Sequence, residues 1–315
     1  MKYRRLGSAG IKVSEISLGG WLSFGGTVEE KMTARIVAAA IDQGVNFIDL
    51  ADIYARGEAE RVCGRILAGH TRTDLVVSSK LFWPMSENIN DRGLSRKHIF
   101  ESIDKTLARL GMEYLDIYFC HRFDPETEVE EVVRAMDDLM RQGKILYWGT
   151  SVWEADQIVA AATAADNFHA YRPQVEQPRY NMLDRHIEPE IMPTCARLGM
   201  GLVVWSPLAM GMLTGKYNVG VPPGSRGATS EWLRNTITDE NVEKSRRLMA
   251  IAGDLGITAG QLALAWVLRR PEISSAITGA TRPEHIASNV AASEVELDSS
   301  TIDAIENILG TKPKP

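Results

Sequence analysis

Phe47-Ile48-Asp49-Leu50-Ala51-Asp52-Ile53-Tyr54 opens as an apolar run and leaves Asp49 and Tyr54 where that run should end. Its opening residues read as a strand. Leu75-Val76-Val77-Ser78-Ser79 repeats the pattern and delivers Lys80, and Tyr114-Leu115-Asp116-Ile117-Tyr118-Phe119-Cys120 delivers His121. Three successive strands therefore each finish on a group able to move or steer a proton. Outward from this centre, further strands are expected at Ile16–Gly19, Ile145–Ser151, Pro173–Gln177, Gly201–Ser206 and Ser275–Gly279, with the three above bounded as Asn46–Ala51, Leu75–Lys80 and Leu115–His121. Helical patterns fall between them near 30–43, 58–69, 96–110, 129–142, 154–165, 187–198 and 283–291. Eight strands with intervening helices predict an α/β protein of the (β/α)8 barrel type. A doubly wound sheet would need a Gly-x-Gly-x-x-Gly turn after a strand, and none is present.

The remaining segments fit around a barrel. Tyr3-Arg4-Arg5-Leu6 and Ile11-Lys12-Val13 flank Gly7 to Gly10, a hairpin expected to close the barrel bottom. Additional helices are expected at about 241–254, 258–269 and 299–309. Residues 84–95 and 217–240 are long Gly-, Pro-, Ser- and Asn-rich connections of the kind that carry function or move. Neither a linker nor a repeat divides the sequence, so residues 1–315 are expected to form one domain.

Composition narrows the function classes. A hydrophobic fraction of 44% and a charged fraction of 24% suit a globule with a sizeable core. The net charge of -6 argues against nucleic acid and anionic membrane as partners. No apolar run is long enough to insert in a bilayer. The start, Met1-Lys2-Tyr3-Arg4-Arg5, has no apolar signal core, so a cytoplasmic location is expected. Cys63, Cys120 and Cys195 are odd in number and widely spaced, as for buried reduced thiols. Cys120 and His121 adjoin but point to opposite strand faces, so they cannot pair.

The strand-end residues suit one chemistry. A phenol such as Tyr54 has a pKa of about 10 and is a poor acid at neutral pH. A neighbouring ammonium, Lys80, is expected to lower that value, with Asp49 keeping the ammonium charged. His121 can polarise a substrate carbonyl by donating a hydrogen bond to its oxygen. Such a site lacks only a hydride, which nicotinamide or flavin supplies and side chains do not. Competing motifs fail. Gly211-Met212-Leu213-Thr214-Gly215-Lys216 is one residue short of a phosphate loop and is followed by Tyr217 where Ser or Thr is needed. The six histidines do not cluster and no His-Glu-x-x-His is present, so no metal is expected. Trp21, Phe82, Trp83 and Trp232 are candidates for an aromatic substrate wall.

Across its full length the sequence resembles the aldo-keto reductases. It is most similar to the branch holding the β subunits of voltage-gated potassium channels and their bacterial relatives. Met1-Lys2-Tyr3-Arg4, Arg92-Gly93-Leu94-Ser95-Arg96-Lys97-His98, Tyr147-Trp148-Gly149-Thr150-Ser151, Trp205-Ser206-Pro207-Leu208-Ala209 and Ser274-Ser275-Ala276-Ile277-Thr278-Gly279-Ala280 carry the resemblance. It implies a catalytic tetrad of Asp49, Tyr54, Lys80 and His121, with Tyr54 as general acid, and NADP(H) lying across the barrel mouth. Ser151 and Gln177 would hold the nicotinamide amide and Trp205 would stack on its ring, with Gly20, Trp21 and Asp49 nearby. Ser206, Pro207, Leu208, Ala209, Met210, Gly211, Lys216 and Arg226 would enclose the pyrophosphate side. Gly279, Thr281, His285 and Asn289 would grip the adenosine and its 2′-phosphate. Reduction of a small carbonyl substrate is implied, in a homotetramer. The alternative is a cofactor-binding regulatory subunit docked on a membrane protein. Departures from the pattern are Leu50 within the usual Asp-Thr-Ala, Ala55 where glycine often follows the tyrosine, Val152 for an arginine, and Ser288 for an acid. His121 stands where mammalian channel subunits carry asparagine.

Overall fold

The computed structural model describes residues 1–310 except Leu22 and Ser230; the side chains of Arg226, Thr229, Glu231 and Trp232 also lie outside the described set. The two sequence-predicted side chains among these, Arg226 and Trp232, are therefore not placed.

An N-terminal hairpin pairs β1 (Tyr3–Arg5) antiparallel with β2 (Lys12–Ser14). Eight parallel strands follow: β3 (Ile16–Gly19), β4 (Phe47–Asp49), β5 (Val76–Leu81), β6 (Leu115–Cys120), β7 (Ile145–Thr150), β8 (Val175–Glu176), β9 (Gly201–Val204) and β10 (Ile273–Thr278). They close in sequence order, β10 pairing with β3, which is the (β/α)8 barrel expected. Helices α1 (Glu30–Asp42), α2 (Glu58–Leu67), α3 (Arg96–Leu110), α4 (Val129–Arg141), α5 (Ala155–Asn167) and α6 (Ile191–Leu198) separate β3 through β9. Short helices α7 (Arg226–Thr229) and α8 (Glu231–Arg234) lie in the long connection after β9. They precede α9 (Asp239–Asp254), α10 (Ala259–Leu268), α11 (Pro283–Ala291) and α12 (Ser299–Leu309). Among the described residues no single helix is long and apolar enough to cross a membrane.

Side-chain alternation along the strands sorts the core into two shells. Phe47, Val76, Ile117, Phe119, Val175, Val203 and Ile277 form a cluster inside the barrel. Ile48, Val77, Tyr118, Cys120, Trp148, Leu202 and Ala276 face the helices. The hairpin plugs the bottom, adding Leu6, Ala9 and Val13 to the inner cluster. Its turn needs Gly7, at φ +59°, because a Cβ there would collide with the backbone at Gly199 and Gly201. Arg4 locks the plug in place, donating to Glu15 at 2.6 Å and to the carbonyls of Leu268, Arg270 and Ile273 at 2.7–3.0 Å.

Several boundaries differ from expectation: β4, expected over Asn46–Ala51, keeps only Phe47–Asp49, and β10, expected over Ser275–Gly279, runs over Ile273–Thr278. β9 ends at Val204 because Ser206 turns to φ +52° and leaves the ladder. β8 keeps only Val175 and Glu176, in a stretch bounded by Pro173 and Pro178, neither of which has an N–H to donate. α6 starts at Ile191 and not near 187, because Pro189 disfavours helix in the residue before it.

Candidate active site

The inward rows of the barrel end in polar groups. Phe47 is followed two residues later by Asp49, Val76 by Ser78 and then Lys80, and Phe119 by His121. In the same way Gly149 precedes Ser151, Val175 precedes Gln177, and Val203 precedes Trp205. Register sets them level: Asp49 lies opposite both Gly19 and Ser78, and Lys80 opposite Phe119. Period-two alternation thus converts adjacent strands into one polar layer above the apolar barrel core.

Asp49 organises that layer. Lys80 Nζ donates to Asp49 Oδ2 at 2.6 Å and to the Leu50 carbonyl at 2.6 Å. Ser78 Oγ and Gln177 Nε2 donate to the other carboxylate oxygen, at 2.7 and 2.9 Å. Asp49 and Lys80 are buried, so the pair is fixed by hydrogen bonds out of reach of water. Lys80 Nζ also lies 3.3 Å from Tyr54 Oη. Tyr54 begins a tight turn after β4 whose next residues, Ala55, Arg56 and Gly57, all hold positive φ (48°, 51° and 85°). Only the last is a glycine, so Ala55 and Arg56 carry strain of about 1–2 kcal/mol each to bring the phenol back over the barrel mouth. His121 meets the Tyr54 ring edge-on, with centroids 6.1 Å apart.

The electrostatics correct one expectation. Burial first, then the Asp49 charge, pushes the Tyr54 phenol well above its ordinary value, with Arg122 opposing. The expected lowering by Lys80 does not prevail, because the ammonium is neutralised by Asp49 and the site is dry. Burial likewise lowers the Lys80 ammonium against the charge and hydrogen bond of Asp49. His121 is held well below the usual imidazole range by burial, Lys80 and Arg122. The layer therefore presents a protonated phenol and a neutral imidazole near pH 7, the states a proton donor and a carbonyl-orienting group require. His121 Nδ1 is buried with no hydrogen-bond partner among the described residues.

The remaining predicted residues surround this centre. Ser151 Oγ donates to the Gln177 carbonyl at 2.9 Å, tying two of them together. Trp21 meets Trp205 edge-on at 6.4 Å, and Gly20 N–H donates to the Asp49 carbonyl at 3.0 Å. Ser206, Pro207 and Leu208 lead into Ala209, Met210 and Gly211, which hold successive positive φ of 47°, 56° and 99°. The N–H groups of Ala209 and Gly211 donate within the turn, to the Ser206 and Leu208 carbonyls at 2.9 Å each, so the group there that suits an anion is the Lys216 ammonium. Lys216 folds back over the turn: a Cβ on Gly211 would stand 2.7 Å from Lys216 Nζ. Gly279 is exposed beyond β10, Thr281 N–H donates to His285 Nδ1 at 3.4 Å, and Asn289 is buried on α11. His285 is kept low by burial and by the charges of Arg282 and Lys216, which brings these three groups into one exposed basic patch. Glu284 is exposed beside it. Phe82 packs edge-on against Trp83 at 5.2 Å, and Trp83 against His121 at 6.3 Å.

Four functional neighbours escaped the sequence reading. Ser78 sits two residues before Lys80, so period two could have flagged it. Arg122 follows His121, is half-buried, and places its charge on Tyr54, Lys80 and His121. Glu176 precedes Gln177 and accepts from Thr150 Oγ1 at 2.5 Å and Val152 N–H at 2.6 Å. It thereby pins Val152 at φ +58°, a costly conformation for a β-branched residue, and with it the turn carrying Ser151. Asp52 lies behind the layer, towards α2 and α3. The three cysteines are buried as expected, with burial raising each thiol. Among the described residues no cluster could hold a metal ion.

Residues 15–309 match the model of the Aldo/keto reductase family. The chain is 44% identical over its whole length to an Arabidopsis thaliana protein named as a probable voltage-gated potassium channel subunit beta, covering 98% of that relative. It is 43% identical, with the same coverage, to a protein of that name from Oryza sativa subsp. japonica. By its barrel, its polar layer and this match, the chain belongs to the aldo/keto reductase family.

Proposed function

We propose that this protein is an NADPH-dependent reductase of small aldehydes and ketones in which Tyr54 is the proton donor. The observation carrying this reading is the chain from Asp49 to Lys80 Nζ to Tyr54 Oη, at 2.6 and 3.3 Å, beside a neutral His121 at the barrel mouth. When bound, the nicotinamide supplies the hydride that no side chain can. A carbonyl oxygen between Tyr54 and His121 takes a hydrogen bond from each. As negative charge grows on it, the Tyr54 proton moves to the oxygen, leaving a phenolate that the Lys80 ammonium stabilises. Asp49, braced by Ser78 and Gln177, keeps that ammonium aimed. A phenol held high at rest is a reluctant acid alone, so its proton leaves only towards a developing alkoxide.

The residues present fit NADP(H). Gln177 Nε2 already serves Asp49, which leaves its carbonyl oxygen, with Ser151 Oγ, for a carboxamide. Trp205 offers a ring face, and Gly20 and Trp21 line the approach. Lys216, over the turn Ser206–Gly211, suits the pyrophosphate, while Thr281, Arg282, His285 and Asn289, with Gly279 beside them, suit a phosphorylated ribose. Arg226 belongs to the same reading by sequence. A homotetramer is part of the proposal, resting on the resemblance of the Arg92–His98 run to the channel-subunit branch.

The names of the two relatives favour a second reading, a cofactor-binding subunit of a channel with little turnover. Steady-state NADPH oxidation with 4-nitrobenzaldehyde separates the two. Wild type should turn over, and Tyr54→Phe should lose about 10²–10⁴-fold in kcat, the usual worth of a positioned proton donor, while binding NADPH normally. Turnover by Tyr54→Phe within a few-fold of wild type would remove Tyr54 from its role; no wild-type turnover across aldehydes and ketones would favour the channel reading.

A further inference from the structure

The chemistry above leaves the Arg122 guanidinium unused. It follows His121 off the end of β6, is half-buried, and lies 5.5 Å from the centre of the Trp83 ring. Trp83 meets His121 edge-on at 6.3 Å, and His121 meets Tyr54 edge-on at 6.1 Å. Proton donor, imidazole, indole and guanidinium thus follow one another along one side of the barrel mouth. A guanidinium carries five N–H donors in a rigid fork that matches a carboxylate. Among the described residues its hydrogen-bond acceptor is the backbone carbonyl of His121, which engages one nitrogen. The carboxylate whose field reaches it, Glu176, forms no ion pair with it, since its oxygens are taken by Thr150 and the N–H groups of Val152 and Trp153. An indole face steadies the cation but accepts no strong hydrogen bond. His121, kept neutral, does not compete for an anion.

Resting on the reductase reading, we propose that Arg122 is the specificity residue of the substrate site, and that the preferred substrates are small aldehydes or ketones carrying a carboxylate a few bonds from the reacting carbonyl. The carboxylate docks on the Arg122 fork, the exposed Trp83 covers the skeleton, and the carbonyl reaches Tyr54 and His121. The carboxylate itself is unchanged by the reaction. A bidentate guanidinium–carboxylate contact fixes direction as well as adding affinity, which is how a wide barrel mouth can orient a small molecule.

Matched pairs test this. Each of 2-, 3- and 4-formylbenzoate is compared with the corresponding formylbenzamide, which has the same shape and no charge. Wild type should favour the acid in kcat/KM by about tenfold to a hundredfold for at least one isomer, the worth of a charge-assisted contact. In Arg122→Gln that ratio should collapse to near one, and Arg122→Lys should fall between, keeping the cation without the fork. The ratio is independent of the fraction of folded enzyme, so a poorly folding variant still reports. A wild-type ratio of one or less for every isomer, or a ratio unchanged in Arg122→Gln, overturns the proposal while leaving the reductase reading standing. If no formyl compound is reduced, the reductase reading falls. Benzoate binding to the NADPH-loaded protein, followed by tryptophan fluorescence, then decides: about tenfold weaker binding in Arg122→Gln supports the anion site, and equal affinity refutes it.

Discussion

Asp52 offers a test of how dry the region behind the candidate site is. It is fully buried, with Ser102 Oγ of α3 donating to Oδ2 at 3.3 Å. The neighbouring Glu60 of α2 is also buried and takes the Arg109 guanidinium for itself at 2.5 Å. Burial, and then the Glu60 charge, therefore push the Asp52 carboxyl up to about 8, with Arg109 opposing. The unfolded carboxyl ionises near pH 4, so between pH 4 and 8 the folded protein holds a proton that the unfolded chain has released. Stability must then fall as pH rises through that interval and level off above it. From pH 6 to 8 the loss is two units at about 1.4 kcal/mol each, less roughly 0.4 kcal/mol because the group is half ionised at the upper end, or roughly 2 kcal/mol. Asp52→Asn keeps the shape and removes the proton, so its stability should not carry this slope. Urea unfolding of both proteins at pH 6, 7 and 8 measures the difference directly; Glu176, raised by burial to about 7, contributes to both curves and cancels. A wild-type minus variant difference that is flat across this range would show that Asp52 is ionised in the folded protein, and would refute the picture of a water-excluded layer behind Lys80.

Two further outcomes follow from the same geometry. Lys80→Met strands a buried Asp49 charge with only Ser78 and Gln177 as donors, and should cost about 3–5 kcal/mol in urea unfolding, with kcat falling alongside; a stability within 1 kcal/mol of wild type would mean that Asp49 is already neutral. NADPH should bind at least about tenfold more tightly than NADH, and Arg282→Ala should narrow that gap in fluorescence titrations by weakening NADPH selectively; equal weakening of both cofactors would show that Arg282 does not meet the 2′-phosphate.

The contrast between what sequence revealed and what it concealed has a physical cause. Asp49, Lys80 and His121 were legible because each stands at or just past the end of a strand-forming run, where barrel proteins place reactive groups, and period two sends it inward. The tetrad needed no knowledge of register beyond that. Ser78 and Glu176 were harder, because both stand inside their strands, where a polar residue reads as noise. Only the pairing of Ser78 with Asp49, and of Glu176 with the backbone beyond Thr150, gives them work. The direction of the Tyr54 shift was misjudged for a different reason. Its neighbours were named correctly, but the balance depends on how completely water is removed and on whether Asp49 has already spent the ammonium's charge. Those are properties of packing. The strained turns at Ala55, Arg56 and Val152 lie at the same limit: the residues there are ordinary in type, and only the closed barrel, with the Glu176 carboxylate holding one turn, compels them into left-handed backbone. Sequence therefore marks which groups reach the mouth, whereas the protonation and aim of each are set by the second row of contacts. Arg122 belongs to that row, so a choice of substrate made by its open fork would be a choice that no strand-end motif encodes.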